Sequence, residues 1–124
     1  MSAKILVVED NELNRKLIVA VLKYHGYETL EAGDGSEGVR LAVKHMPDLI
    51  LMDIQMPVMD GMTAINALKN DPRTLGIKVI ALTSFAMKGD RERFMAAGFA
   101  DYIAKPINTR ELPEIVKKYA GSKI

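Results

Sequence analysis

LILMDIQMPVMDG, Leu49 to Gly61, runs from a strand-like apolar core straight into an acid. Leu49 to Met52 has the length and character of a strand covered on both faces. It ends on Asp53, and a Met-rich, Pro-containing turn comes next without a break. A carboxylate at the tip of a buried strand is costly unless something answers its charge, and the rest of the chain offers candidates.

Outward from this stretch, short β-branched runs alternate with longer segments of helical period, the pattern of βαβ units on a parallel sheet. KILVV, Lys4 to Val8, is the first strand, and a helix from about Leu13 to Tyr24 stops at Gly26. Tyr27 to Ala32 is the second strand, whose alternation of polar and apolar residues suits an edge. Ser36 caps a helix to about His45, which Pro47 ends. Asp60 caps a helix from about Met62 to Leu68, and the breaker-rich NDPRTLG leads to a fourth strand, Lys78 to Leu82. A helix from about Gly89 to Ala97 ends at Gly98, a short strand lies around Asp101 to Ile103, and Asn108 with Glu111 forms a capping box for a last helix reaching about Tyr119. The expected class is α/β, an open parallel sheet with helices on both faces.

At 124 residues, 48% hydrophobic and 27% charged, the chain is expected to form one globular domain over 1–124, its core spanning about 3–120. A net charge of +1 without a concentrated basic footprint disfavours nucleic acid. The absence of cysteine excludes disulfides, thiolate catalysis and Cys-based zinc sites. The longest apolar stretch, Leu17 to Leu22, falls far short of the roughly 20 residues of a membrane span. A cytoplasmic protein without membrane insertion is expected. Met52, Met56, Met59 and Met62 read mainly as core and turn fillers.

In an open parallel sheet the functional crevice lies at the carboxyl ends of the strands. Here the first strand ends in Glu9 and Asp10, the third in Asp53, the fourth in Thr83 and Ser84, and the fifth runs into Lys105. Carboxylates about 4 Å apart repel by roughly 4 kcal/mol at an effective dielectric near 20, so three together ask for a cation. Hard oxygen ligands select Mg²⁺ or Ca²⁺ over zinc, and Mg²⁺ characteristically also accepts a phosphate oxygen. The chemistry this suggests is formation of an aspartyl phosphate on Asp53, with Lys105 and Thr83 holding oxygens that gain charge.

VVEDN, LILMDIQMPVMDG, ALTS and AKP, in this order and spacing, resemble the receiver domain of two-component response regulators over essentially the whole chain. The resemblance implies a flavodoxin-like (βα)5 sandwich with strand order 2-1-3-4-5. It makes Asp53 the phosphoacceptor and Asp10 the main Mg²⁺ ligand. Glu9 would act mostly through a water on the metal, while Asp53 and the backbone carbonyl of Gln55 would complete the protein contacts; Mn²⁺ is a compatible substitute. Thr83 matches the hydroxyl that turns toward the phosphoryl group, Lys105 the amine that pairs with it, and Tyr102 the aromatic switch position, with a cis bond between Lys105 and Pro106. Implied partners are histidine kinases or histidine phosphotransferases as donors, which could recruit the protein to membrane-bound kinases, and downstream regulatory proteins. Ending at GSKI, the chain resembles single-domain receivers without an output domain, in particular regulators of cell division. Such proteins are phosphoacceptors with slow self-dephosphorylation rather than turnover enzymes.

The apolar residues of the first helix spread wider than one core-facing stripe, so Leu13, Asn14 and Leu17 are candidates for docking a partner's helix beside the acids. Phe85 is a second candidate, as a contact surface and as a limit on water's approach to an acyl phosphate. Two other functions stay open on the residues alone. An aspartyl-nucleophile phosphatase would have a second acid where Gln55 stands, and a flavodoxin-like flavin protein would not carry the acidic EDNE in its first loop.

Overall fold

Leu49–Asp53 is buried at every position and forms the central strand, β3, of a computed structural model that describes residues 3–56, 58–84 and 89–120. Around it stand β1 (Lys4–Val8), α1 (Glu12–Tyr24), β2 (Glu28–Ala32), α2 (Gly35–His45), α3 (Gly61–Lys69), β4 (Lys78–Thr83), α4 (Asp90–Ala97), β5 (Asp101–Ala104) and α5 (Glu111–Ala120). The five strands are all parallel, in the order β2-β1-β3-β4-β5. This is the expected flavodoxin-like arrangement.

Alternation along the strands divides the core in two. Leu6, Val8, Ile50, Met52, Val79 and Ala81 face one side and pack with Ala42 of α2, Ala64, Ile65 and Leu68 of α3, and Phe94 of α4. Ile5, Val7, Leu49, Leu51, Ile80 and Leu82 face the other, against Ile18 and Leu22 of α1 and Leu112 and Val116 of α5. Covered on both faces, β1 and β3 read as unbroken apolar runs. β2 lies at an edge and exposes Glu28 and Glu31, as its alternation suggests. Met52 is fully buried and Met56, Met59 and Met62 pack against the first of these cores, which bears out their reading as fillers. Among the described residues no helix is long and apolar enough to cross a membrane.

β3 and β4 each run one residue further than expected, to Asp53 and Thr83, and two other boundaries move for identifiable reasons. Ser36 does not cap α2; Asp34 does, accepting the Glu37 N–H at 2.9 Å, while the Glu37 carboxylate accepts the Gly33 N–H at 3.0 Å. The helix starts earlier because Gly35 is held against the β3–α3 loop: its N–H donates to the Met59 carbonyl at 3.1 Å, leaving no room for a side chain. β2 begins at Glu28 rather than Tyr27, since the Tyr27 N–H donates to the Leu22 carbonyl at 3.1 Å and closes the end of α1 around Gly26, at φ +87°. Asp60 caps α3 as expected, accepting from Thr63 N–H at 2.8 Å, and Asn108 accepts the N–H groups of Arg110 and Glu111 at the start of α5.

α3 meets the tip of β3 at Gly61, whose N–H donates to the Ile54 carbonyl at 2.9 Å. A Cβ on Gly61 would lie 2.5 Å from the Asp53 carbonyl oxygen and 2.8 Å from Ile54 Cα, both backbone atoms that cannot swing aside. Gly61→Ala is therefore expected to lower stability by about 1–3 kcal/mol in denaturant titrations. Gly76→Ala, where an added carbon meets nothing within 4 Å, should leave it within about 0.5 kcal/mol.

Candidate functional site

The strand order sets the carboxyl ends of β1, β3 and β4 side by side. Val8 pairs with Met52, Asp53 with Leu82, and Thr83 with Ala104, so Glu9, Asp53, Thr83 and Lys105 emerge along one edge. The Lys105 backbone N–H donates to the Thr83 carbonyl at 2.7 Å, and its peptide bond to Pro106 is cis. From there the side chain reaches back across the edge: Nζ lies 3.0 Å from both carboxylate oxygens of Glu9 and 2.9 Å from Asp53 Oδ2. Glu9 is 0% and Asp53 4% exposed, and Thr83 is buried with them. Asp10 is exposed beside them, and Glu9, Asp10 and Asp53 each bring an oxygen to within 4.8 Å of the others.

One ammonium cannot balance three carboxylates. Burial pushes the Glu9 carboxyl up to about 7, the hydrogen bond it shares with Asp53 pushes the same way, and the Lys105 ammonium only partly opposes them. For Lys105 burial favours the neutral amine, but its bonds to Asp53 and Glu9 outweigh this and raise its pKa. Glu9 thus keeps its proton up to near neutral pH, where a divalent cation would displace it. All the donors are hard oxygens, partly buried, in negative excess and open at Asp10, which suits Mg²⁺ better than a soft-ligand metal.

Residues 5–117 match the response regulator receiver domain family. The chain belongs to that family. It is 46% identical to the polar-differentiation response regulator DivK of Brucella ovis, and equally to that of Brucella melitensis, over 98% of this chain and 98% of theirs. Among solved structures it resembles the receiver domain of the sensor histidine kinase PA1611 from Pseudomonas aeruginosa, which has a magnesium ion coordinated in its active site cleft (39% identity, TM-score 0.89, covering 98% of this chain and 100% of that one). It also resembles a co-crystal structure of the Saccharomyces cerevisiae histidine phosphotransfer protein Ypd1 with the receiver domain of its downstream response regulator Ssk1 (26%, TM-score 0.89, 96% and 89%). Receivers are signalling proteins, phosphorylated with Mg²⁺ by histidine kinases or phosphotransferases.

In this receiver Glu9, Asp10, Asp53, Thr83 and Lys105 stand together as the sequence suggests. Gln55 also meets Asp53 through its backbone N–H, donating to Oδ1 at 3.2 Å. Tyr102 is half-buried on β5, its ring 6.1 Å from that of Phe94. Leu13 is 80% and Leu17 41% exposed on α1. Asn14 is less a surface residue than expected, since its side-chain amide donates to Glu9 at 3.4 Å. Phe85 lies outside the described residues. One contributor escaped sequence reasoning: Arg15, which donates to the Glu9 carbonyl at 2.9 Å. An Arg within an amphipathic helix carries no sequence signal for such a role.

A carboxyl whose folded pKa exceeds its unfolded value contributes stability that is complete below the unfolded pKa and lost as pH rises through the folded one. For Glu9 that window runs from about 4.5 to about 7. In chelator, Glu9→Gln should therefore gain stability relative to the parent as pH rises through this window, by a few kcal/mol at most at about 1.4 kcal/mol per pKa unit. Thermal melts of both proteins across that range measure it, and added Mg²⁺ should shrink the difference by stabilising the parent.

Proposed function

We propose that Asp53 is the phosphoacceptor of this response regulator receiver. A carboxylate oxygen of Asp53 attacks the phosphorus of a phosphohistidine on a donor kinase or phosphotransferase. An O–P bond forms as the N–P bond breaks, and the electron pair leaves with the donor imidazole, which takes up a proton. Glu9, Asp10, Asp53 and the Gln55 carbonyl would hold Mg²⁺, with Mn²⁺ as a substitute. The bound cation supplies positive charge that screens the acids and the incoming phosphoryl oxygens.

The chain's own residues do the rest. Lys105 already sits 2.9 Å from Asp53 Oδ2, a fixed cation where the phosphoryl oxygens will gather. The buried Thr83 at the end of β4 offers its hydroxyl to the same group. Tyr102, next to this edge on β5, is the residue through which the change reaches the surface, and Phe85 limits water's approach to the acyl phosphate. Exposed Leu13 and Leu17 dock the donor beside the pocket. The observation that carries this reading is the Lys105 bridge between two buried acids at the sheet edge.

Gln55 at the position of a phosphatase's second acid speaks for a stored phosphoryl group rather than turnover, with slow self-dephosphorylation resetting the switch. The acidic residues around Asp10 speak against an anionic flavin cofactor. The 46% identity to DivK proteins along 98% of their length supports a role in cell-division control, exercised in the cytoplasm through downstream regulators and kinases at the membrane.

Incubated with acetyl phosphate and Mg²⁺, the protein should gain the mass of one phosphoryl group, and Asp53→Asn should gain none; an unmodified parent chain by intact mass overturns the proposal. Leu17→Asp should accept phosphoryl groups from acetyl phosphate at the parent rate but about tenfold more slowly from its phosphohistidine donor, the loss of one well-packed anchor being worth about 1.4 kcal/mol. Equal rates from the donor would remove α1 from the docking surface.

A further inference from the structure

We propose that Arg15 is a positioning residue for the acidic pocket, setting where Glu9 and Asp10 stand by gripping the peptide group that joins them. Arg15 is the fourth residue of α1, and its Nη1 donates to the Glu9 carbonyl at 2.9 Å, which is the oxygen of the Glu9–Asp10 peptide. Its Nε donates to Glu31 of β2 at 3.1 Å. On the other side of Glu9, the backbone N–H donates to the Ala32 carbonyl at 3.0 Å. Both peptide groups flanking Glu9 are thus fixed, one by the sheet and one by the guanidinium. The side chain of Arg15 is only 18% exposed and its bond to the Glu9 carbonyl is partly buried, while its partner Glu31 faces solvent at the sheet edge.

The pairing with Glu31 gives the clamp a second property. A bare cation this close would compete with a metal for the acids; the Glu31 carboxylate balances the guanidinium while leaving its forked geometry in place. A lysine has a single point of attachment and cannot serve the carbonyl and Glu31 with the same planar fork. Groups that orient metal ligands commonly change metal affinity 10–100-fold when removed. The inference rests on the Mg²⁺ reading of the pocket.

The test is a calorimetric Mg²⁺ titration of the full chain. Arg15→Ala should bind Mg²⁺ about 10- to 100-fold more weakly than the parent, Arg15→Lys should fall between them, and Glu31→Gln, which keeps the carbonyl contact, should lose less than Arg15→Ala. In chelator, the Glu9 amide should exchange its hydrogen faster in Arg15→Ala. Lys69→Met serves as the control for general loosening, since it removes bonds to the Leu75 and Ile77 carbonyls elsewhere in the fold. Mg²⁺ affinity in Arg15→Ala within about twofold of the parent, far below the expected range, or an equal loss in Lys69→Met, overturns the assignment. A parent chain that binds no Mg²⁺ overturns the metal reading beneath it and is distinguished by that result.

Discussion

Lys105 joins Glu9 and Asp53 in one hydrogen-bonded bridge, across 96 and 52 residues of chain. Such a bridge exists only if β1, β3 and β5 end at the same edge of one sheet. The parallel order β2-β1-β3-β4-β5 delivers this, and the two hydrophobic layers hold it. The acids in turn demand the bridge, since Glu9 and Asp53 are buried away from the solvent that would otherwise answer their charge. Fold and site are therefore one constraint: the buried strands are rigid posts, and the charges at their tips are tolerable only in each other's company.

That company leaves the pocket short of positive charge. Burial and the neighbouring Asp53, only partly opposed by Lys105, push the Glu9 carboxyl up to about 7. That imbalance is what suits the acids to a divalent cation, the basis of the phosphoacceptor role proposed above. Gly61 lets α3 approach the tip of β3, and Gln55 gives its N–H to Asp53, so the Asp53 backbone and one of its carboxylate oxygens are both held in place. On the other flank, Asn14 and Arg15 bring the first helix into the same network, which links the exposed Leu13 and Leu17 to the acids a few residues away.

Much of this is legible in the sequence for a physical reason. Unbroken apolar runs mark strands covered on both faces, and in a parallel sheet the residues just beyond each run must converge, so Glu9, Asp10, Asp53, Thr83 and Lys105 could be gathered without coordinates. The caps at Asp60 and Asn108 are likewise readable, because a side-chain oxygen bonding two or three residues ahead is a local event. Ser36 misleads because the start of α2 is decided by Met59, a residue far off in sequence that leaves space only for a glycine at position 35. The clamp from Arg15 to the Glu9 carbonyl is invisible for the same kind of reason: its acceptor is a backbone oxygen, which every residue has.

The central claim is that Lys105 and a divalent cation share one set of oxygens. The most direct measurement is the Mg²⁺-induced rise in melting temperature of Lys105→Met beside that of the parent. The metal-free variant should melt lower, having lost the cation that Glu9 and Asp53 share, and Mg²⁺ should raise its melting temperature more than the parent's, because nothing competes for the acids. Equal Mg²⁺ shifts in the two proteins, or a metal-free variant as stable as the parent, would contradict it.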